Sequence, residues 1–158
     1  MKEFDLYEPM CKWLENYIKG KYKGYKIIVK DTHSITLDKA LKEIGIINDL
    51  ATGIDIEIDV LGVAIKGDKY KLLFIEAKAT KLTLRDLGQL WSYCKLIDPE
   101  EAFLFSPKGL GSLNKILVAC SREDMLDFGD GKKIKKMRVA SWDISTGSPD
   151  ILRMIPKF

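Results

Sequence analysis

Four acidic residues and one lysine fall in two strand-like runs that a tight turn would fold against each other. Ile54-Asp55-Ile56-Glu57-Ile58-Asp59-Val60 alternates apolar and acidic residues, the period-two pattern of a β-strand with unlike faces. Lys66-Gly67-Asp68-Lys69 reads as a polar turn, and Tyr70 to Ala79 as a second strand rich in Leu, Phe and Ile. With the turn centred between Gly67 and Asp68, cross-strand partners have residue numbers summing to 135. Asp59 then faces Glu76, Glu57 faces Lys78, and Asp55 faces Thr80. Side chains alternate along strands, so these groups share one face at one end of the hairpin. Toward the turn that face is apolar, with Leu61, Val63, Leu72 and Phe74; the opposite face carries Ile54, Ile56, Ile58, Val60, Leu73, Ile75 and Ala77.

Asp55, Glu57, Asp59 and Glu76 gathered around a single Lys78 are an excess of negative charge. Like charges opposed across strands destabilise a sheet and raise carboxylate pKa values. A hard divalent cation bound through oxygen relieves that repulsion, and Mg²⁺ suits one or two carboxylates completed by waters and a substrate phosphate. An acid-x-Lys triplet is a weak signal alone in a chain with 26 Lys and Arg and 23 Asp and Glu. A second one, Asp130-Gly131-Lys132, lies in a Gly-rich turn with no apolar strand before it and reads as chance. The plainer account of Glu76 and Lys78 is a surface ion pair. Register decides between the two, because a one-residue slip would send the acids and Lys78 to opposite faces.

The surrounding elements follow from periodicity. Leu6, Met10, Trp13, Leu14, Tyr17 and Ile18 predict a helix over 6–19 stopped by Gly20, and Tyr25–Lys30 is a short β-type run. Residues 37–47 predict a second helix ending near Gly45. Thr83 with Asp86 three residues on is a capping-box-like start to a helix carrying Leu84, Leu87, Leu90, Trp91 and Cys94 and stopping before Asp98-Pro99. Ala102–Phe105 predicts a buried strand, Leu110 to Met125 a further helix ending at Gly129-Asp130-Gly131, and Met137–Ile144 a last strand. The fold class is α/β, a mixed β-sheet flanked by helices in αβββαβ order.

With those elements in place, the sequence resembles the PD-(D/E)xK, or restriction-endonuclease-like, nuclease superfamily. The residues that carry the likeness are Ile58-Asp59-Val60-Leu61-Gly62-Val63, Leu73-Phe74-Ile75-Glu76-Ala77-Lys78, and Gln89-Leu90-Trp91-Ser92-Tyr93 in the next helix. The last looks like the Gln-x-x-x-Tyr motif of RecB- and Cas4-like members. Ile58 stands where the motif has proline, and Asp55 of Gly53-Ile54-Asp55 rivals Asp59, since RecB-like members show Gly-x-x-Asp; pairing with Glu76 favours Asp59. The resemblance covers about residues 6–143. It implies a restriction-endonuclease-like core and Mg²⁺-dependent hydrolysis of phosphodiester bonds in DNA, with Mn²⁺ substituting. Asp59, Glu76 and the Ala77 carbonyl would hold the metal, joined by Glu8 from the first helix. Lys78 would position or activate water, with Gln89 orienting it, while Tyr93, Arg85 and Lys81 would touch the DNA backbone.

Other classes find less support. The length of 158 residues suits one domain spanning 1–158, and no apolar run approaches the roughly 20 residues of a membrane span. No signal-peptide core follows the N-terminus, so a cytoplasmic location is the default expectation. Cys11, Cys94 and Cys120 lack metal-site spacing and read as buried small apolar residues. His33, the only histidine, reads as a loop residue, and no P-loop is present. Two lysine-rich runs, 19–30 and 132–138, are solvated faces or phosphate-binding patches at a net charge of only +3. The alternatives to a self-sufficient nuclease are a non-catalytic nucleic-acid-binding or assembly module and a catalytic subunit of a larger DNA-processing complex. A homodimer also fits, because cutting both strands of a duplex usually needs two sites.

Overall fold

A computed structural model describes the whole chain, Met1–Phe158. Leu6, Met10, Leu14 and Ile18 recur every fourth residue and are buried along one side of helix α1, Phe4–Lys21. Strand β1 (Lys26–Asp31) follows, then helix α2 (Leu37–Glu43), capped by the Thr36 hydroxyl accepting from the Lys39 amide. Strands β2 (Val60–Lys66) and β3 (Lys69–Ala77) form the hairpin around Gly67-Asp68. Helix α3 (Leu84–Ile97) opens on a reciprocal capping box between Thr83 and Asp86 and closes on Asp98 in the left-handed region. Strand β4 (Glu101–Ser106) is buried throughout.

Beyond β4 the expected long helix does not form. The chain makes a helical turn at Ser112–Asn114, a wide π-type turn at Lys115–Ala119 and a 3₁₀ turn at Glu123–Leu126. Positive φ at Gly111 and Ser121 brackets the first two turns and breaks the helical path. Cys120 therefore comes out exposed, Cys94 is buried and Cys11 half-buried. A small hairpin follows, β5 (Asp127–Gly129) with β6 (Ile134–Lys136), and then β7 (Arg138–Asp143) and β8 (Ser148–Pro149).

The main sheet has the order β1-β2-β3-β4-β7-β8. It is mixed: β3, β4 and β7 run parallel, and β1, β2 and β8 are joined antiparallel. Alternation along its strands builds two cores, one per face. Leu61, Val63, Leu72, Phe74, Ala102 and Leu104 pack under α2 and α3. Val60, Ala64, Leu73, Ile75, Phe103 and Phe105 pack under α1. No helix is long and apolar enough to cross a membrane.

The hairpin keeps the expected register, with Val60↔Ile75, Leu61↔Phe74 and Lys66↔Lys69. The strand expected from Ile54, however, begins only at Val60, and residues 54–58 are irregular. Ile56 and Ile58 join the core under α3, whereas Val60 belongs to the core under α1, so the chain rotates at Asp59 instead of alternating through it. The cause lies in the hydrogen bonds. The Ile58 carbonyl accepts from the Thr32 hydroxyl, the Asp59 carbonyl from the Thr32 amide, and the Ile56 carbonyl from the Leu37 amide. The segment is thus bound to the connection between β1 and α2 and leaves β3.

Candidate active site

The end of β3 is where backbone pairing gives way to side-chain chemistry. Two residues beyond Val60↔Ile75, the ladder would set Ile58 against Ala77. Instead the Ala77 amide donates to Asp59 Oδ2 at 2.8 Å, which fixes the Asp59 carboxylate against the strand that bears Glu76. Glu76 stands on the α3 face beside Leu104 of β4. Lys78 is held one residue further by its amide donating to the Phe105 carbonyl at 3.0 Å.

These groups line a polar cavity of about 310 Å³ together with Glu3, His33, Asp55, Glu57, Gln89 and Tyr93. The larger apolar groove of about 430 Å³, between Leu84, Trp91 and Met125, holds none of them. Asp55, Glu57, Asp59, Glu76 and Lys78 are therefore gathered as expected, although the first two arrive on an irregular segment and not on a ladder. The acids do not form a closed cage: no group of three or more Cys, His, Asp or Glu side chains is arranged to enclose an ion. Asp59 and Glu76 are the close pair.

Glu76 is only 4 % exposed, and its Oε2 is buried with no hydrogen-bond partner. Burial drives its pKa far above the ordinary glutamate value, with hydrogen bonding to Asp59 and the Asp59 charge adding to the effect and Lys78 opposing it. Glu3 is also raised, first by its partial burial, with Lys78 pulling it down and Asp59 and Asp86 pushing it up. The Tyr7 hydroxyl is raised too, by burial and by the nearby carboxylates of Asp59 and Glu3. From α3, Gln89 Nε2 donates to the Tyr93 hydroxyl at 3.2 Å, so the two residues of the Gln-x-x-x-Tyr segment act as one unit on the cavity wall.

Other expected site residues lie elsewhere. Glu8 is on the solvent side of α1, paired with Lys12 at 3.2 Å. Leu6, Tyr7, Met10 and Leu14 take the buried side of the helix, and 100° per residue turns Glu8 away from it. Glu3, at spacing 3, 7, 10 with Tyr7 and Met10, occupies the place expected of Glu8. Arg85 and Lys81 are exposed and do not line the cavity. Of the two lysine-rich runs, Lys19, Lys21, Lys135, Lys136 and Arg138 are engaged with Glu15, Glu101, Asp98 and Asp127.

His33 lies in the turn after β1, as its loop reading expects, and it also lines the cavity. Its Nδ1 is 2.5 Å from Asp31 Oδ1, its amide donates to the same oxygen at 3.1 Å, and its ring stacks on Tyr7 at 4.6 Å. Its arrival depends on β1 pairing with β2, Asp31 opposite Val60, which no local pattern around His33 announces.

No protein family, curated protein or solved structure matches the chain.

Proposed function

We propose that this chain is a Mg²⁺-dependent nuclease of the PD-(D/E)xK type, hydrolysing phosphodiester bonds in DNA. The observation that carries the reading is the buried carboxyl of Glu76, one oxygen of which has no partner, beside Asp59 and Lys78. A glutamate buried for structural reasons is satisfied by its neighbours, and this fold contains one for comparison. Glu101, 5 % exposed, accepts from the Tyr17 and Tyr22 hydroxyls at 2.5 and 2.6 Å and pairs with Lys21 and Arg138. Glu76 has no such set, and leaving a buried carboxyl oxygen unsatisfied is costly. Oxygen donors around a polar cavity fit a hard divalent cation.

Asp59, Glu76 and the Ala77 carbonyl are the residues that would hold Mg²⁺ or Mn²⁺, with Glu3 and His33 on the same cavity wall. The cation would polarise a phosphoryl oxygen and bring water toward hydroxide at neutral pH. The chain's own residues supply the rest. The Ala77 amide keeps the Asp59 carboxylate aimed before any ligand arrives. The Lys78 ammonium offsets charge developing on the phosphorane and positions the attacking water; a lysine can lose its proton when desolvated, which an arginine cannot. Gln89, braced by Tyr93, orients the water or Lys78. Arg85 and Lys81 are assigned to backbone phosphates outside the cavity.

The test is cleavage of labelled duplex, single-stranded and branched DNA, with RNA alongside, in Mg²⁺ or Mn²⁺. The wild-type chain should cut and Lys78→Ala should lose about a hundredfold or more in rate. Equal background from both would sink the reading.

A further inference from the structure

The rim of the cavity carries an aromatic side chain that neither core uses. Phe4, the first residue of α1, is 67 % exposed, although it directly follows Glu3 on the cavity wall. Its ring stands edge-on to His33, with centroids 5.9 Å apart and planes at 80°, and edge-on to Tyr7 at 6.2 Å. His33 lies nearly flat on the buried Tyr7, with planes at 23°, and is pinned by Asp31. Buried Tyr7, half-buried His33 and open Phe4 thus make a braced aromatic corner beside a cavity whose lining is otherwise polar. Exposing a phenylalanine ring to water is unfavourable in proportion to its apolar area. A planar apolar ligand would cover it.

We propose that Phe4, with His33 at its edge, is a stacking platform for the nucleobase next to the phosphate held at Asp59, Glu76 and Lys78, so that the strand taken by the site is unpaired DNA: a single strand or the single-stranded arm of a branched molecule. The inference rests on the nuclease reading above. In a duplex both faces of each base are covered, and an aromatic side chain reaches them only by unstacking a step. On a single strand every base offers a free face, and an aromatic side chain beside a backbone-binding site is the general means of holding it. Charge points the same way. Duplex binding relies on many phosphate contacts, yet the net charge is only +3 and much of the two lysine-rich runs is occupied by acidic partners.

Binding of 2-aminopurine oligonucleotides to the full chain carrying Lys78→Ala, in Mg²⁺, separates base stacking from cutting. The single strand should bind with a change in 2-aminopurine fluorescence. Adding Phe4→Ala should weaken that binding by about tenfold and abolish the fluorescence change, leave duplex binding within about twofold, and be rescued by Phe4→Trp. Unchanged single-strand binding in Phe4→Ala overturns the platform, as does an equal loss on single strand and duplex, or failure of Phe4→Trp to rescue. Cleavage by the parent chain with Phe4→Ala equally active on every DNA form also overturns it and leaves the nuclease reading standing. Single-strand stacking on Phe4 without cleavage by the parent chain supports the platform and removes the nuclease reading. Binding of no nucleic acid overturns both.

Discussion

Glu76 and Glu101 are both glutamates on buried strands, and the contrast between them makes the protonation of Glu76 measurable. Glu101 is surrounded by donors; Glu76 faces the Asp59 carboxylate with one oxygen unpartnered. Its folded pKa, raised first by burial, lies above the value of about 4.3 expected in the unfolded chain. The folded state without a cation therefore holds a proton that the unfolded state releases. This contribution to stability is fully present below about pH 4.3 and is lost as pH rises through the folded value. Thermal melts in EDTA at a series of pH values should show the wild-type chain losing stability relative to Glu76→Gln between about pH 5 and 9, because the amide has no proton to lose. Restoring Mg²⁺ should reverse the loss in the wild-type chain only, with release of a proton as the carboxylate forms. A difference between the two chains that does not vary with pH would mean that Glu76 is ionised in the folded chain.

At the level of elements, the site depends on β2 and β3 packing against α1, and Gly62 sits at a tight point of that contact. A Cβ added at Gly62 would stand 2.7 Å from Ile18 Cδ1 and 2.9 Å from Leu14 Cδ2, both fully buried side chains. Gly62→Ala should therefore destabilise by about 1–3 kcal/mol through overpacking, measurable in urea as a lower midpoint with unchanged slope. Leu14→Ala carries a cavity cost of its own of about 2–5 kcal/mol, but in that background Gly62→Ala should cost less than in the wild-type chain, giving a non-additive cycle. An additive cycle would place the strain elsewhere. This packing also explains what the sequence disclosed. The hairpin register was legible because a two-residue Gly67-Asp68 turn sets which residues pair. Helix α3 was legible from the Thr83–Asp86 box and its buried Leu87, Leu90 and Cys94. The start of β2 was not, because Thr32, distant in sequence, takes the Ile58 and Asp59 carbonyls. Strands β5, β6 and β8, two or three residues each, are too short to carry a period. In the site, Glu76 followed from alternation along β3, whereas Asp59 reaches it from a rotated segment outside the ladder, and Glu3 and His33 arrive through α1 packing and β1 pairing.

Across the whole molecule, carboxyl groups are buried at two ends of the same parallel strands for two different reasons. Glu101 pairs with Leu73 in register while Glu76 pairs with Leu104, so the two glutamates sit at opposite ends of the β3–β4 pair. Around Glu101, Tyr17, Lys21 and Tyr22 at the end of α1 meet Arg138 of β7, and Arg138 stacks on Phe158 at 4.9 Å. The network thus joins α1, two sheet strands and the C-terminal residue. Removing one member of a buried charged set leaves the others uncompensated, and here the Arg138 Nε already lacks a partner. Glu101→Ala should cost about 3–5 kcal/mol, enough to lower the melting temperature by roughly 10 °C in a chain of this size. Glu101→Ala combined with Arg138→Met should recover part of that loss, since an apolar pair carries no desolvation penalty. The same network governs alkaline stability. Tyr17 and Tyr22 are held protonated above the ordinary tyrosine range, by burial first and then by their hydrogen bonds to Glu101. Their folded values exceed the unfolded value of about 10, so stability present below that pH is lost as pH rises beyond it. Tyr22→Phe should blunt the alkaline loss, whatever it costs at neutral pH. On the proposed nuclease function, cleavage by the Glu101→Ala chain, measured well below its own melting temperature, should match wild type per folded molecule. A matching loss of activity and stability would instead make the two ends of the sheet a single cooperative site.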